Sequence, residues 1–224
     1  RGQPGDAVVH ARRRSVICSK DVSRERDPST VEDLKKMVEA EVEGFIRDSI
    51  AGMNAKRESR WSDPDFGPNA KTDPQGTNSL YRNGRTSVPG YPKVEDVKWS
   101  RPGYGGRDES SVDPATGEEF FCNNAVLFRG CTSQSTIIQG KLGDCWFLSA
   151  VAIAKTSHEL IKACFWRMDD FRDYGIYVVR FFKNGAWHYV VIDDRVPIFA
   201  CKNGQPCFAR CSDRNELWLP LLEK

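Results

Sequence analysis

Gln139-Gly140-Lys141-Leu142-Gly143-Asp144-Cys145-Trp146 is the stretch of sequence that decides the fold of this chain. An apolar run follows it from Trp146 to Ala154, and this run predicts a buried helix that begins at Cys145. The first N–H groups of a helix have no partner within it, and the positive end of the helix dipole lies there. Both features stabilise a thiolate, which is the reactive form of cysteine. The stretch therefore predicts a reactive Cys145 at the start of a helix.

Gln139 and two glycines strengthen this interpretation of Cys145. The side chain of Gln139 could donate an N–H group to a developing oxyanion, beside the backbone N–H of Cys145. Gly140 and Gly143 permit the tight backbone that such a turn needs. A cysteine ahead of an apolar run is by itself more often a small, buried core residue. The combination of the glutamine, the glycines and the Cys-Trp pair instead favours a nucleophile.

Several segments of the chain, in the same order, resemble the calpains, which are intracellular papain-like cysteine endopeptidases. Residues 139–154 are similar to the nucleophile segment of that family. The other matches are Trp99-Ser100-Arg101-Pro102, residues 175–197 and 215–224, and more weakly residues 63–66 with 79–81. Several motifs in one order are more specific than any single short pattern. The resemblance covers residues 61–224 and is strongest to the plant-type branch, the phytocalpains.

The resemblance implies an α+β fold, a papain-like cysteine protease subdomain with a central nucleophile helix and antiparallel hairpins. It implies an intracellular cysteine endopeptidase that hydrolyses protein substrates through a covalent acyl-enzyme, with Cys145 as nucleophile and Gln139 stabilising the oxyanion. In calpains the catalytic histidine and asparagine come from the second half of the protease core. We therefore expect residues 61–224 to be the first, nucleophile-bearing half of the catalytic domain. This fragment would lack the second lobe, need it as a partner and be inactive alone.

The alternative is a catalytically silent, calpain-like scaffold or regulatory binding module, although the intact Cys145 argues against it. The three histidines do not supply the expected base. His10 lies in the polar leader, His158 is expected to cap or follow a helix in a solvated position, and His188 falls in a strand as an edge or core residue. The adjacent acids Asp193 and Asp194 are interpreted as structural.

Calcium is the cofactor that the resemblance implies. Glu216 matches a family carboxylate ligand, but Thr136 stands where a second acid is expected, nine residues before Cys145. Because calcium prefers several oxygen ligands with carboxylate charge, the loss of one acid predicts weak or absent binding. Carbonyl groups near residues 129–131 remain possible ligands. Glu216 is equally well interpreted as an acid at the N-terminus of a helix.

Composition narrows the classes of partner and the cellular compartment. The chain has 224 residues and a net charge of +2, which gives no reason to expect a nucleic-acid partner. The longest apolar stretch is too short to span a bilayer, and no secretory signal opens the chain. Membrane attachment of a parent protein is not predictable from these residues. Because no secretory signal is seen, the eight cysteines are expected to be reduced thiols in the cytoplasm. Zinc at Cys201, Cys207 and Cys211 is not expected, because their spacing lacks short pairs and a fourth ligand.

The remaining sequence divides into recognisable segments. Residues 1–28 are polar and aperiodic, which predicts a disordered leader. Residues 29–60 predict an amphipathic helix and a linker, with Ser29 or Thr30 as the cap and an end near Ile50. A second helix or turn is expected within residues 157–166. Pro220 requires the last helix either to begin late or to kink.

Two hairpins are also expected in the C-terminal part of the chain. Residues 176–182 and 187–192 are rich in aromatic and β-branched side chains, and Asn184-Gly185 lies between them. This dipeptide favours the type I′ turn, whose twist suits a hairpin. A second, smaller hairpin is predicted around Asn203-Gly204.

Overall fold

A computed structural model describes residues 16–18, 30–67, 97–101, 125–199, 207–213 and 215–224. Its most regular feature is the predicted hairpin, formed by β4 (Ile176–Lys183) and β5 (Ala186–Asp193), which pair in an antiparallel register. Asn184 and Gly185 have φ angles of 53° and 72°. Both central residues of the turn are therefore left-handed, as a type I′ turn requires. The prediction of this hairpin is confirmed.

A third strand completes this sheet. β1 (Val16–Cys18) pairs antiparallel with β5, which gives the strand order β1-β5-β4. The expectation of disorder throughout residues 1–28 is therefore wrong for these three residues. The β-branched pair Val16-Ile17 suits a strand, and the free edge of β5 supplies hydrogen bonds that a local sequence window does not reveal.

One face of the sheet is covered by α1 (Val31–Ala55). Thr30 caps this helix, because its hydroxyl oxygen accepts a hydrogen bond of 3.0 Å from the backbone N–H of Asp33. The predicted cap is confirmed, and the helix ends five residues later than Ile50. Its buried side chains pack in one cluster with residues of β4 and β5: Val38, Val42, Ile46, Met53, Ile176, Val178, Tyr189 and Val191.

The opposite face of the sheet contacts three further helices. These are α2 (Cys145–Ala154), α3 (His158–Ala163) and α4 (Trp218–Glu223). Alternate residues of β4 point to the two sides, so that Tyr177 and Val179 join this second cluster while Ile176 and Val178 join the first. Successive side chains of a strand point to opposite faces of the sheet, so one hairpin contributes residues to both hydrophobic clusters. The cluster places the start of α2 beside α4.

Two small antiparallel pairs complete the described fold. β2 (Val97–Ser100) pairs with β6 (Val196–Phe199), and β3 (Ile137–Ile138) pairs with β7 (Arg210–Cys211). The hairpin predicted around Asn203-Gly204 lies outside the described residues. On its far side, the backbone N–H of Cys207 donates to the carbonyl oxygen of Pro197 at 2.9 Å. The helices and small antiparallel sheets agree with the predicted α+β class.

The last helix resolves the question that Pro220 raised. α4 begins at Trp218, so Pro220 occupies the third position of its first turn. N–H groups at this position have no partner within a helix, and proline loses nothing there. The helix therefore begins late and needs no kink. No helix among the described residues is long and apolar enough to cross a membrane.

Candidate active site

Cys145 is the first residue of α2, as predicted, and its side chain is exposed. The carbonyl oxygen of Asp144 accepts hydrogen bonds from the N–H groups of Phe147 and Leu148, at 2.8 and 3.1 Å. These bonds fix the first turn directly behind the thiol. The N-terminal N–H groups and the helix dipole favour negative charge at this end of the helix.

The segment that precedes Cys145 lies tightly against residues 207–208. A Cβ atom added to Gly140 would lie 2.6 Å from the carbonyl oxygen of Phe208 and closer still to that of Cys207. The next residue, Lys141, donates its backbone N–H to the Cys207 carbonyl at 2.8 Å. Gly140 is therefore required by this close approach of two backbones. Gln139 is exposed, like Cys145.

The prediction that α2 is a largely buried helix is wrong. Only Leu148 and Val151 are buried, whereas Trp146 and Ile153 are each 74% exposed. The described residues pack on one side of the helix. Because the helix is apolar on its other side as well, a second apolar face is left uncovered. Apolar composition all round a helix predicts burial only when neighbours exist on every side. The exposed face lies on the same helix as Cys145.

Neither described histidine is hydrogen bonded to Cys145. His158 is the first residue of α3, and its Nδ1 atom accepts a hydrogen bond of 3.3 Å from the N–H of Thr132. Its ring also contacts that of Phe128, so the expected solvated position is wrong. His188 is half-buried in β5, the central strand of its sheet, which excludes an edge position.

Asp193 and Asp194 are held by cations, as expected for structural acids. Asp194 pairs with Arg60 at 2.5 Å and also with Arg101. Asp193 pairs with Arg195 at 2.8 Å and with the buried Lys224. Burial opposes the ionisation of Asp193, but Lys224 and Arg195 outweigh it and lower the pKa of its carboxyl. A carboxylate fixed in this way serves the fold and is not available for proton transfer.

Glu216 is buried, and its carboxylate accepts hydrogen bonds from the protein. The backbone N–H of Arg129 donates to Oε1 at 3.0 Å, and the hydroxyl of Ser135 donates to Oε2. Glu216 lies two residues before α4, so it is not an acid of the first turn of that helix. Its carboxylate instead joins the segments around residues 129 and 135.

The residues around Glu216 do not fit calcium. Thr136 is exposed, and its N–H donates to Ser212 at 3.3 Å, so no second acid occupies this position. Within the described ranges no three His, Cys, Asp or Glu side chains form a group that could hold a metal ion. Calcium binds through several oxygens that include carboxylates. A single carboxylate with both oxygens already accepting hydrogen bonds is a poor basis for such a site.

Five cysteines are free thiols: Cys131, Cys145, Cys164, Cys207 and Cys211. Burial raises the pKa of Cys207 to about 12 and raises the pKa of Cys211 further, with Glu216 adding to the second shift. Zinc binds thiolates, so the raised pKa of each thiol disfavours such a site here. Cys201, the third cysteine of the spacing, lies outside the described residues.

One feature beside Cys145 was not predicted from the sequence. Glu223, on α4, lies against Asp144, and burial together with this carboxyl neighbour raises the pKa of Glu223 to about 9. The two acids are far apart in the sequence, so no spacing motif connects them. Only the packing of α4 against the start of α2 brings them together.

Comparison with known proteins places this arrangement in a family. Residues 62–224 match the model of the calpain family cysteine protease. The chain therefore belongs to the calpain family of cysteine proteases, and the resemblance seen in the sequence is confirmed. The family fold is the papain-like, mixed α/β domain, with helices and small antiparallel sheets.

Individual relatives come from plants and animals. The chain is 34% identical over 189 residues to the calpain-type cysteine protease DEK1 of Zea mays, covering 82% of this chain and 7% of that protein. For the protein of the same name in Arabidopsis thaliana, the identity is 31% over 204 residues, 90% of this chain and 8% of that protein. Calpain-10 of Rattus norvegicus is 32% identical over 157 residues, which cover 67% of this chain and 20% of that protein. The chain thus spans a small part of the length of these relatives.

Proposed function

We propose that this chain carries the nucleophile of a cysteine endopeptidase that hydrolyses protein substrates through a covalent acyl-enzyme. The observation that carries the proposal is the exposed Cys145 at the first position of α2, directly after a backbone segment held rigidly against residues 207–208. A nucleophile must be accessible and must also be fixed, because a small displacement from the reactive geometry costs much of the rate.

Each step of the reaction assigns a role to this part of the chain. The thiolate of Cys145 attacks the peptide carbonyl carbon, and the carbonyl oxygen becomes an oxyanion. The side-chain N–H of Gln139 and the backbone N–H of Cys145 stabilise that charge. The C–N bond breaks as the amine takes up a proton, which leaves the acyl group on sulfur. Water then attacks the acyl carbon and releases the acid and the thiol.

The proton transfers need a histidine, oriented by an asparagine or aspartate. Because His158 and His188 are engaged elsewhere, we assign this role to residues outside the described ranges, as in a second lobe of the protease core. The exposed Trp146 and Ile153 on α2 support an apolar contact with such a lobe. Residues 1–224 alone should consequently show no peptidase turnover. General-base assistance typically contributes about a hundred- to ten-thousand-fold to the rate.

Two further properties complete the proposal. Glu216 acts as a structural hydrogen-bond acceptor, so the fold around it does not depend on calcium. The free thiols agree with a reducing, cytoplasmic location.

The test is peptidase activity of the intact protein that contains these residues. Cys145→Ala should abolish activity, while Cys131→Ala, which removes another exposed thiol, should leave it unchanged. Gln139→Ala should lower kcat about a hundred- to a thousandfold, the usual loss for one oxyanion donor. Normal activity in Cys145→Ala would contradict the mechanism, whereas a lack of peptidase activity in the unsubstituted intact protein would favour the alternative of a catalytically silent scaffold.

A further inference from the structure

Asp144 and Glu223 form a carboxyl pair directly behind Cys145. Asp144 is the N-cap residue of α2, and Glu223 is the last residue of α4. Asp144 Oδ1 and Glu223 Oε1 are both inaccessible to solvent, and neither has a hydrogen-bond donor among the described residues. The other oxygen of Glu223, Oε2, accepts a hydrogen bond of 2.5 Å from the backbone N–H of Ala209.

Two ionised carboxyl groups offer only acceptors to each other, so a buried pair of this kind needs a proton between them. Burial raises the pKa of Glu223 to about 9, and Asp144 adds to the shift, whereas the Ala209 N–H opposes it. Among the described residues, the thiol of Cys207 also faces Glu223, and burial raises the pKa of this thiol so that it stays neutral. At neutral pH Glu223 therefore carries a proton that it can donate to Asp144.

We propose that Glu223 is a positioning residue for Cys145, and that its protonated carboxyl holds Asp144 and thereby the start of α2. The link between Glu223 and Asp144 stands on the packing alone, and its meaning for catalysis rests on the function proposed above.

The contacts of residues 207–209 explain how the link positions the thiol. The backbone of Cys207 accepts from Lys141 and lies against Gly140, while Ala209 donates to Glu223. The segment before Cys145 is thus fixed at two points, at Gly140–Lys141 and at Asp144. Loss of the second point releases the turn that carries the thiol.

The proton gives this link a definite dependence on pH. The pKa of Glu223 is higher in the folded chain than its ordinary value of 4.5. Between pH 4.5 and about pH 9, Glu223 therefore holds a proton in the folded state that it has lost in the unfolded state. Stability from this group is complete below about pH 4.5 and declines as the pH rises to about 9.

Glu223→Gln keeps both hydrogen bonds of this side chain but removes the titratable proton. The amide N–H of glutamine can donate to Asp144 and its carbonyl oxygen can accept from Ala209, at any pH. Glu223→Ala removes both bonds. Glu159→Gln is the matched control, because Glu159 is an exposed glutamate at the start of α3.

The first experiment measures the melting temperature of the 224-residue chain between pH 6 and pH 9. Relative to Glu223→Gln, the natural chain should lose roughly 5–10 °C over this range, and the control should behave like the natural chain. The second experiment measures hydrogen exchange by NMR at pH 6.5. The amides of Phe147 and Leu148, which are bonded to Asp144, should exchange about tenfold faster in Glu223→Ala and be restored in Glu223→Gln.

Equal pH profiles for the natural chain and Glu223→Gln would overturn the proposal. Unchanged exchange at Phe147 and Leu148 in a folded Glu223→Ala variant would do so as well. If the alanine variant does not fold, the profile of the glutamine variant decides alone. These readouts do not depend on catalysis: activity in Cys145→Ala would refute the proposed function and leave the carboxyl link standing.

Discussion

Gly140→Ala tests how closely the segment before Cys145 depends on its contact with residues 207–208. The added methyl group meets backbone atoms of Cys207 and Phe208, which cannot move aside as a flexible side chain can. Accommodating it in this packed position costs about 1–3 kcal/mol. The shift also weakens the hydrogen bond from Lys141 to Cys207, which contributes about 0.5–1.5 kcal/mol.

A smaller effect of opposite sign must be subtracted. Replacing glycine by alanine restricts the unfolded chain, which stabilises the folded state by about 0.4–1 kcal/mol. The net expectation is a loss of about 2 kcal/mol in the free energy of unfolding, within a range of about 0.5–4 kcal/mol. Urea denaturation followed by circular dichroism measures this as a lower midpoint at an unchanged slope.

Gly44→Ala is the matched control for the same chemical change. Gly44 lies within α1, and a Cβ atom there would meet nothing within 4 Å. Alanine should therefore stabilise the helix by about 0.5–1 kcal/mol. If Gly140→Ala were as stable as the natural chain, or shifted in the same direction as Gly44→Ala, the close backbone contact beside Cys145 would be wrong.

Two other predictions concern the charged residues. Asp193→Asn leaves the buried Lys224 without its carboxylate partner. Urea denaturation should show a loss of about 3–5 kcal/mol in the free energy of unfolding. A loss below about 1 kcal/mol would contradict the buried ion pair. Because the pKa of Asp193 is lowered in the folded chain, the stability that this carboxylate contributes is present above pH 3.8, its ordinary pKa, and is lost as the pH falls below it. The stability difference between the natural chain and Asp193→Asn should therefore shrink in acid. Excess calcium should leave the melting temperature unchanged, since a bound ligand would raise it; a rise that Glu216→Gln abolishes would refute this.

Local signals in the sequence were sufficient for the elements that local chemistry determines. Thr30 identified the start of α1 because its hydroxyl caps the helix. Asn184-Gly185 identified the hairpin because few residue pairs accept two left-handed conformations. The position of Cys145 at the first residue of α2 also followed from the sequence pattern.

Features that depend on distant residues were not predictable in this way. The strand at Val16–Cys18 exists through its pairing with β5, and a polar, aperiodic neighbourhood hid it. The apolar composition of α2 predicted burial, but the described residues cover one face only and leave Trp146 exposed. The link between Asp144 and Glu223 arises from the packing of α4, on which no local pattern reports.

Covalent labelling of the intact protein is the closest test of whether Cys145 is the nucleophile. The intact protein is treated with a peptidyl epoxide, a class of reagent that alkylates an activated thiolate, and the modified residue is located by tandem mass spectrometry. We expect labelling of Cys145 to rise in proportion to the loss of peptidase activity, while Cys131, which is also exposed, stays unlabelled. Complete inactivation with an unmodified Cys145 would contradict this expectation.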